Sequence, residues 1–102
     1  MSLIEEIQEI QNESHEKWFD RWYEKYGLVN KIKKSAMQGY VGYRISVSAV
    51  GDEYSRIRRK NPKTIELLKK ELGKGFEVCL KEEYEKNVFG YPTYKSYILI
   101  SW

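Results

Sequence analysis

An α+β domain is predicted, with two N-terminal helices ahead of a small three-stranded, mostly antiparallel sheet. Three observations predict it. Apolar residues recur every three or four positions over residues 3–26 and again over 28–37, the spacing of helices with one buried face. Stretches 40–50, 76–81 and 93–102 alternate apolar and polar residues with a period of two, as half-buried strands do. Between the first two of these stretches, Asn61-Pro62 opens another helical run. The order is therefore α-α-β-α-β-β. At 102 residues the chain is one domain, 1–102, in which 1–38 form a helical front and 39–102 a β-α-β-β part of the same core.

Ser2 and Glu5 have the spacing of a capping box, so the first helix starts at about residue 3. Leu3, Ile7, Ile10 and Ser14, with Ile4 beside them, form its stripe. Trp18, Trp22 and Tyr26 continue that side, flanked by Phe19 and Tyr23, and Gly27 ends the helix. Such a helix is about 36 Å long at about 1.5 Å per residue, against a radius of gyration of about 13 Å for a compact domain of this size. Its first turns are expected to overhang the core. Glu5, Glu6, Glu9, Glu13 and Glu16 all lie in that half with no base among them, which suits a helix N-terminus and reads as a solvated face. The overhanging stripe also offers a surface for a homodimer or a partner.

Leu28, Val29, Ile32, Ala36 and Met37 predict a second helix that ends before Gly39, with Lys31, Lys33 and Lys34 on its wet side. The first strand, Tyr40–Val50, points Val41, Tyr43, Ile45, Val47 and Ala49 one way and Arg44, Ser46 and Ser48 toward solvent. One wet face suits an edge strand. Gly51-Asp52 turns the chain into a short helical segment, 53–60, in which Tyr54 and Ile57 are expected to face inward, Arg56, Arg59 and Lys60 to face water, and Arg58 to lay its stem on the core. Ile65, Leu68 and Leu72 carry the next helix to Gly73, and Phe76, Val78 and Leu80 mark the second strand. Residues 85–92 read as a loop. The last strand has Tyr94, Ile98, Ile100 and Trp102 on one side and Tyr97 and Leu99 on the other, so it is expected in the middle of the sheet, covered more fully than its neighbours, with the first strand antiparallel beside it and the helices packed on one face.

The bulk numbers exclude more than they assign. Aromatic residues make up 15% of the chain, which argues for a folded domain despite 32% charged residues. A net charge of +3 is too small to imply nucleic acid on its own. Cys79 is the single cysteine, so a reducing compartment is the simpler expectation. With no membrane-length apolar run and no basic leader ahead of an apolar core, a cytoplasmic protein is expected, without a membrane partner.

Catalytic chemistry has little support. His15 is the single histidine, lacks the second histidine of a zinc-binding helix, and reads as an ordinary surface residue. Cys79 reads as a quiet structural thiol. Glu82, Glu83 and Glu85 crowd one strand end without the Asp-rich loop of a divalent-ion site. Gly73-Lys74-Gly75 follows a helix, whereas a phosphate cradle precedes one. No enzyme activity, cofactor or metal is therefore expected.

Two stretches stand out as binding candidates. Arg56, Arg58, Arg59, Lys60 and Lys63 are the densest run of positive charge, and arginine forks suit phosphate or carboxylate. Arg44, on the wet face of the first strand, joins Arg56, Arg59, Lys60 and Lys63 as a candidate anion contact, alongside a solvated connector as the ordinary reading. The loop 87–92 holds Val88, Phe89 and Tyr91, which either fold back on the first helix or anchor a partner. The Lys/Glu/Ile/Tyr-rich composition and small size resemble accessory proteins of phages and mobile elements in AT-rich bacteria. That likeness covers the whole chain, carries no specific motif and transfers no residue's role. The expected function is a non-enzymatic protein-interaction module, of the phage accessory kind that binds or inhibits a host nucleic-acid-processing enzyme. The alternative is direct nucleic-acid binding through the segment from Arg56 to Lys63.

Overall fold

The computed structural model, which describes residues 2–102, starts its first helix where the capping spacing puts it. Ser2 is extended, and its Oγ accepts the backbone N–H of Glu5 at 3.3 Å. Helix α1 runs Leu3–Tyr26 and stops at Gly27, whose left-handed φ of 66° would strain any side chain. Helix α2 (Leu28–Met37) follows at once, then strand β1 (Gly42–Ser46), helices α3 (Glu53–Lys60) and α4 (Pro62–Leu72), and strands β2 (Glu77–Lys86) and β3 (Pro92–Ser101).

The aromatic half of α1 is the side that the core uses. Phe19 and Trp18 are buried, and Trp18, Trp22 and Tyr26 stack in sequence with ring centroids 5.4 and 5.2 Å apart. No residue of α1 before His15 is buried. Twelve residues of α1 (3–14), about 18 Å of helix, therefore extend past the core, and the radius of gyration is 15.9 Å. The overhang expected from helix length is present.

The sheet order is β1-β3-β2, antiparallel throughout, with the last strand in the middle as expected. Ile98 lies between Ile45 and Leu80, and Ile100 between Tyr43 and Val78. Phe19, Leu28, Ile32 and Leu68 cover that face from α1, α2 and α4, and together these residues form the core. The helices thus pack on one face of the sheet, as expected, and the other face is less covered. Tyr97 and Leu99 are only half-buried there. Their shielding is local: the Arg44 guanidinium lies 4.6 Å from the Tyr97 ring, and the Tyr97 hydroxyl donates to Glu83 at 2.8 Å, which pushes that phenol's pKa up.

Strand β1 is shorter than the alternating stretch 40–50. Tyr40 and Val41 are exposed, and pairing distorts after Ser46. The amides of Val47 and Ser48 both donate to the Ser96 carbonyl, at 3.0 and 3.1 Å, the two-against-one pattern of a bulge. Ser48 is consequently half-buried, its Oγ accepting the Ser96 N–H at 2.9 Å, and does not face solvent as expected.

The β2–β3 hairpin is longer than expected and its loop shorter. Pairing continues out to Lys86 and Pro92, which leaves residues 87–91 as the turn. Asn87 closes it. Its side-chain Oδ1 accepts the N–H groups of Phe89 and Tyr91 at 2.9 and 3.0 Å, while its own N–H donates to the Tyr91 carbonyl.

Candidate functional site

Helix α3 is capped by Asp52, whose Oδ2 accepts both the N–H and the hydroxyl of Ser55, at 3.2 and 2.8 Å. Those hydrogen bonds hold the Asp52 carboxyl below its ordinary pKa. Two turns later Asn61 ends α3 and caps α4, with Pro62 at the first helical position. Between these caps the helix faces the opposite way from its apolar pattern. Tyr54 and Ile57, expected inside, are exposed, and the half-buried side belongs to Arg58 and Arg59.

The inward arginines have specific partners. Arg58 donates from Nη2 to Ser14 Oγ at 2.9 Å and from Nη1 to His15 Nδ1 at 3.2 Å. Arg59 donates from Nη1 to the Ser46 carbonyl at 2.9 Å, with its guanidinium 5.6 Å from the ring centroids of both Trp22 and Tyr26. Arginine tolerates this because its stem is apolar and its planar fork bonds while stacking on rings. The Tyr26 hydroxyl is bonded to that of Tyr43 at 2.9 Å, and burial, reinforced by this bond, raises its pKa.

His15 is therefore a structural residue and not the surface residue expected. It is 3% exposed, and its Nε2 lies 2.8 Å from Thr64 Oγ1. The single Thr64 hydroxyl hydrogen goes to the Arg58 carbonyl, so Nε2–H donates to Thr64 and Nδ1 accepts from Arg58. Burial first, then the positive charges of Arg58 and Lys63, lower the pKa of His15, against a smaller opposing effect from Glu16.

The five basic residues expected to act together are split among several places. Arg59 is bound to Ser46. Lys63 pairs with Glu16 at 3.5 Å, and Arg44 lies on the other face of the sheet. Arg56 and Lys60 remain together, one turn apart on α3, beside a cleft of about 400 Å³ whose further walls include Val47, Ile57 and Tyr94. Lys60 reaches Glu82 at 3.7 Å, while the Arg56 side chain has no hydrogen bond or ion pair among the described residues.

Val88, Phe89 and Tyr91 do not fold back on α1. Val88 is 94% and Phe89 81% exposed at the tip of the hairpin. Below them Tyr84 and Tyr94, paired in register with centroids 5.1 Å apart, add two more exposed rings. These two tyrosines are absent from the sequence-based candidates. The signal was available in the alternation of 84 and 94 with their strands, once the strands are extended through 85 and 92.

Among the described residues no group of three or more His, Cys, Asp or Glu side chains is arranged to hold a metal ion. Cys79 is half-buried on the sheet face away from the helices, opposite Leu99. No helix among the described residues is long and apolar enough to cross a membrane. Comparison of the chain with protein-family models, curated proteins and solved structures gives no match.

Proposed function

We propose that this chain is a non-enzymatic protein-interaction module that holds its partner with the β2–β3 arm. One observation carries the reading: Tyr84, Val88, Phe89 and Tyr91 are exposed along a hairpin whose turn is pinned by Asn87. Each large apolar side chain buried at an interface contributes about 1.5–3 kcal/mol. A turn already fixed by hydrogen bonds loses little entropy on docking. The narrower reading, an accessory protein of phage type that binds or inhibits a host nucleic-acid-processing enzyme, rests on composition and requires the captured partner to be such an enzyme. Phe89→Ala combined with Tyr91→Ala should abolish capture of the native partner in a pull-down identified by mass spectrometry. The thermal unfolding midpoint should stay within about 2 °C, since both residues are exposed. Capture that survives the double substitution would remove the arm from the account.

A second reading, direct nucleic-acid binding, is favoured by Arg56 and Lys60 standing beside Tyr94 on one cleft. Cations with an aromatic ring suit a single strand, where bases stack and phosphates pair. Affinity should then fall steeply with salt, and Arg56→Ala with Lys60→Ala should reduce the log–log salt slope by about 1–2. No binding to single- or double-stranded DNA at low salt would eliminate it.

A further inference from the structure

Only Ser14, through Arg58, ties the overhang of α1 by a hydrogen bond to a later element among the described residues. Leu3, Ile7 and Ile10 recur at i, i+4 and i+7, which places them on one stripe. They are 72%, 42% and 65% exposed. The stripe does not end in open solvent. Past Ile10 it runs into a groove of about 410 Å³ between α1 and α3, whose apolar walls are Ile10, Tyr54 and Ile57. The outward apolar side of α3 and the overhang of α1 therefore form one surface. A stripe one side chain wide, widened at one end by a second helix, matches the shape that receives an amphipathic helix.

Charge selects among possible occupants. All 18 basic residues of the chain follow Glu16. Glu16 pairs with Lys63, whereas Glu5, Glu6, Glu9 and Glu13 have no ion-pair partner among the described residues. Glu6 and Glu13 follow Leu3 and Ile10 by three residues, so they border the stripe directly. A second copy laid antiparallel on the same stripe would bring its own Glu6 and Glu13 against these acids, which is repulsive. An anionic membrane surface repels them as well, since interfacial helices depend on basic residues. Along residues 3–13 the complement is a stripe of apolar side chains bordered by Lys or Arg; at the α3 end the groove carries Arg58, whose guanidinium is already bound to Ser14 and His15.

We propose that the N-terminal half of α1, with Tyr54 and Ile57 of α3, is a docking face for a basic amphipathic helix of a partner protein. It does not depend on the arm, because Val88, Phe89 and Tyr91 take no part in it.

The test titrates the full chain, by calorimetry, with a synthetic Leu/Lys peptide of amphipathic helical repeat. Two controls accompany it: a scrambled peptide of the same composition and a Leu/Glu peptide of the same repeat. The Leu/Lys peptide should bind, and both controls should bind at least about tenfold more weakly, because only the repeat joins an apolar stripe to flanking bases. Ile7→Ser with Ile10→Ser should weaken binding at least about tenfold while leaving the unfolding midpoint unchanged. Glu6→Lys with Glu13→Lys should reverse the preference toward the Leu/Glu peptide. Equal binding of the scrambled peptide, or affinity indifferent to Ile7 and Ile10, would overturn the proposal. So would a fall of the midpoint in the Ser variant, which would make the stripe part of the fold. A dimer in sedimentation that Ile7→Ser with Ile10→Ser dissolves would assign the face to a second copy instead.

Discussion

Ile98→Ala is expected to lower the free energy of unfolding by about 2–5 kcal/mol, measured by chemical denaturation with an unchanged m-value. Ile98 is fully buried between Ile45 and Leu80, on the face that α1, α2 and α4 cover. Truncation there opens a cavity touching all three strands and the helical layer, and β3 cannot move to fill it without breaking two ladders. Leu99→Ala supplies the comparison. Leu99 is next on the same strand but points to the half-buried face, between Arg44 and Cys79. Its loss should cost less than half as much, because water already reaches that face and less apolar area is removed from burial. Equal costs would mean that both faces of β3 are covered alike.

Acidification is the second strong perturbation. The unfolded chain titrates its histidine near the ordinary value of about 6.5, and the folded protein holds His15 neutral to lower pH. Between those two values the unfolded state binds more protons. Stability from this site is therefore complete above about pH 6.5 and is lost as pH falls toward the folded value, by at most about 1.4 kcal/mol per pH unit. Burial is the first cause, since it disfavours the charged ring, and the second is that a protonated ring carries hydrogen on Nδ1, which then opposes the Arg58 guanidinium 3.2 Å away. Unfolding free energies measured between about pH 5 and 7 should slope upward in the native chain. In His15→Gln, where no group titrates at that position, the slope should be shallower. Identical slopes would assign the pH dependence to other groups.

The elements and their order could be read from local pattern because each carries its own punctuation. Ser2, Gly27, Asp52, Asn61-Pro62 and Gly73 stand at element boundaries, and the two-sided apolar pattern of 97–100 placed β3 centrally. What escaped depends on partners distant in sequence. Helix α3 has only eight residues, and Tyr54 with Ile57 defined an apolar side that the fold leaves outside. Its orientation is set by acceptors elsewhere, the Ser46 carbonyl and the His15–Ser14 pair, which no local periodicity can display. His15 itself was open to detection. It precedes Trp18, Phe19 and Trp22 by three, four and seven residues and so shares their buried side. The hairpin extends beyond its visible sequence pattern because charged residues at 81–83 and 85–86 mask its alternation. Its register is carried by pairing with β3, including Tyr84 with Tyr94.

The central position of β3 also governs the time course of folding. Strands β1 and β2 never touch each other, so neither has a ladder until β3 arrives between them. The β2–β3 hairpin closes over a five-residue turn, 87–91, whereas β1 must find partners 51 to 59 positions further along the chain. Loop closure over that distance is slow compared with hairpin formation. Helices and hairpin should therefore gain protection from hydrogen exchange first, with the amides of 42–46 last. Until then β3 presents an open edge with Ile98 and Ile100 beside it, and the interval before β1 docks is when this chain is most exposed to pairing with the wrong neighbour.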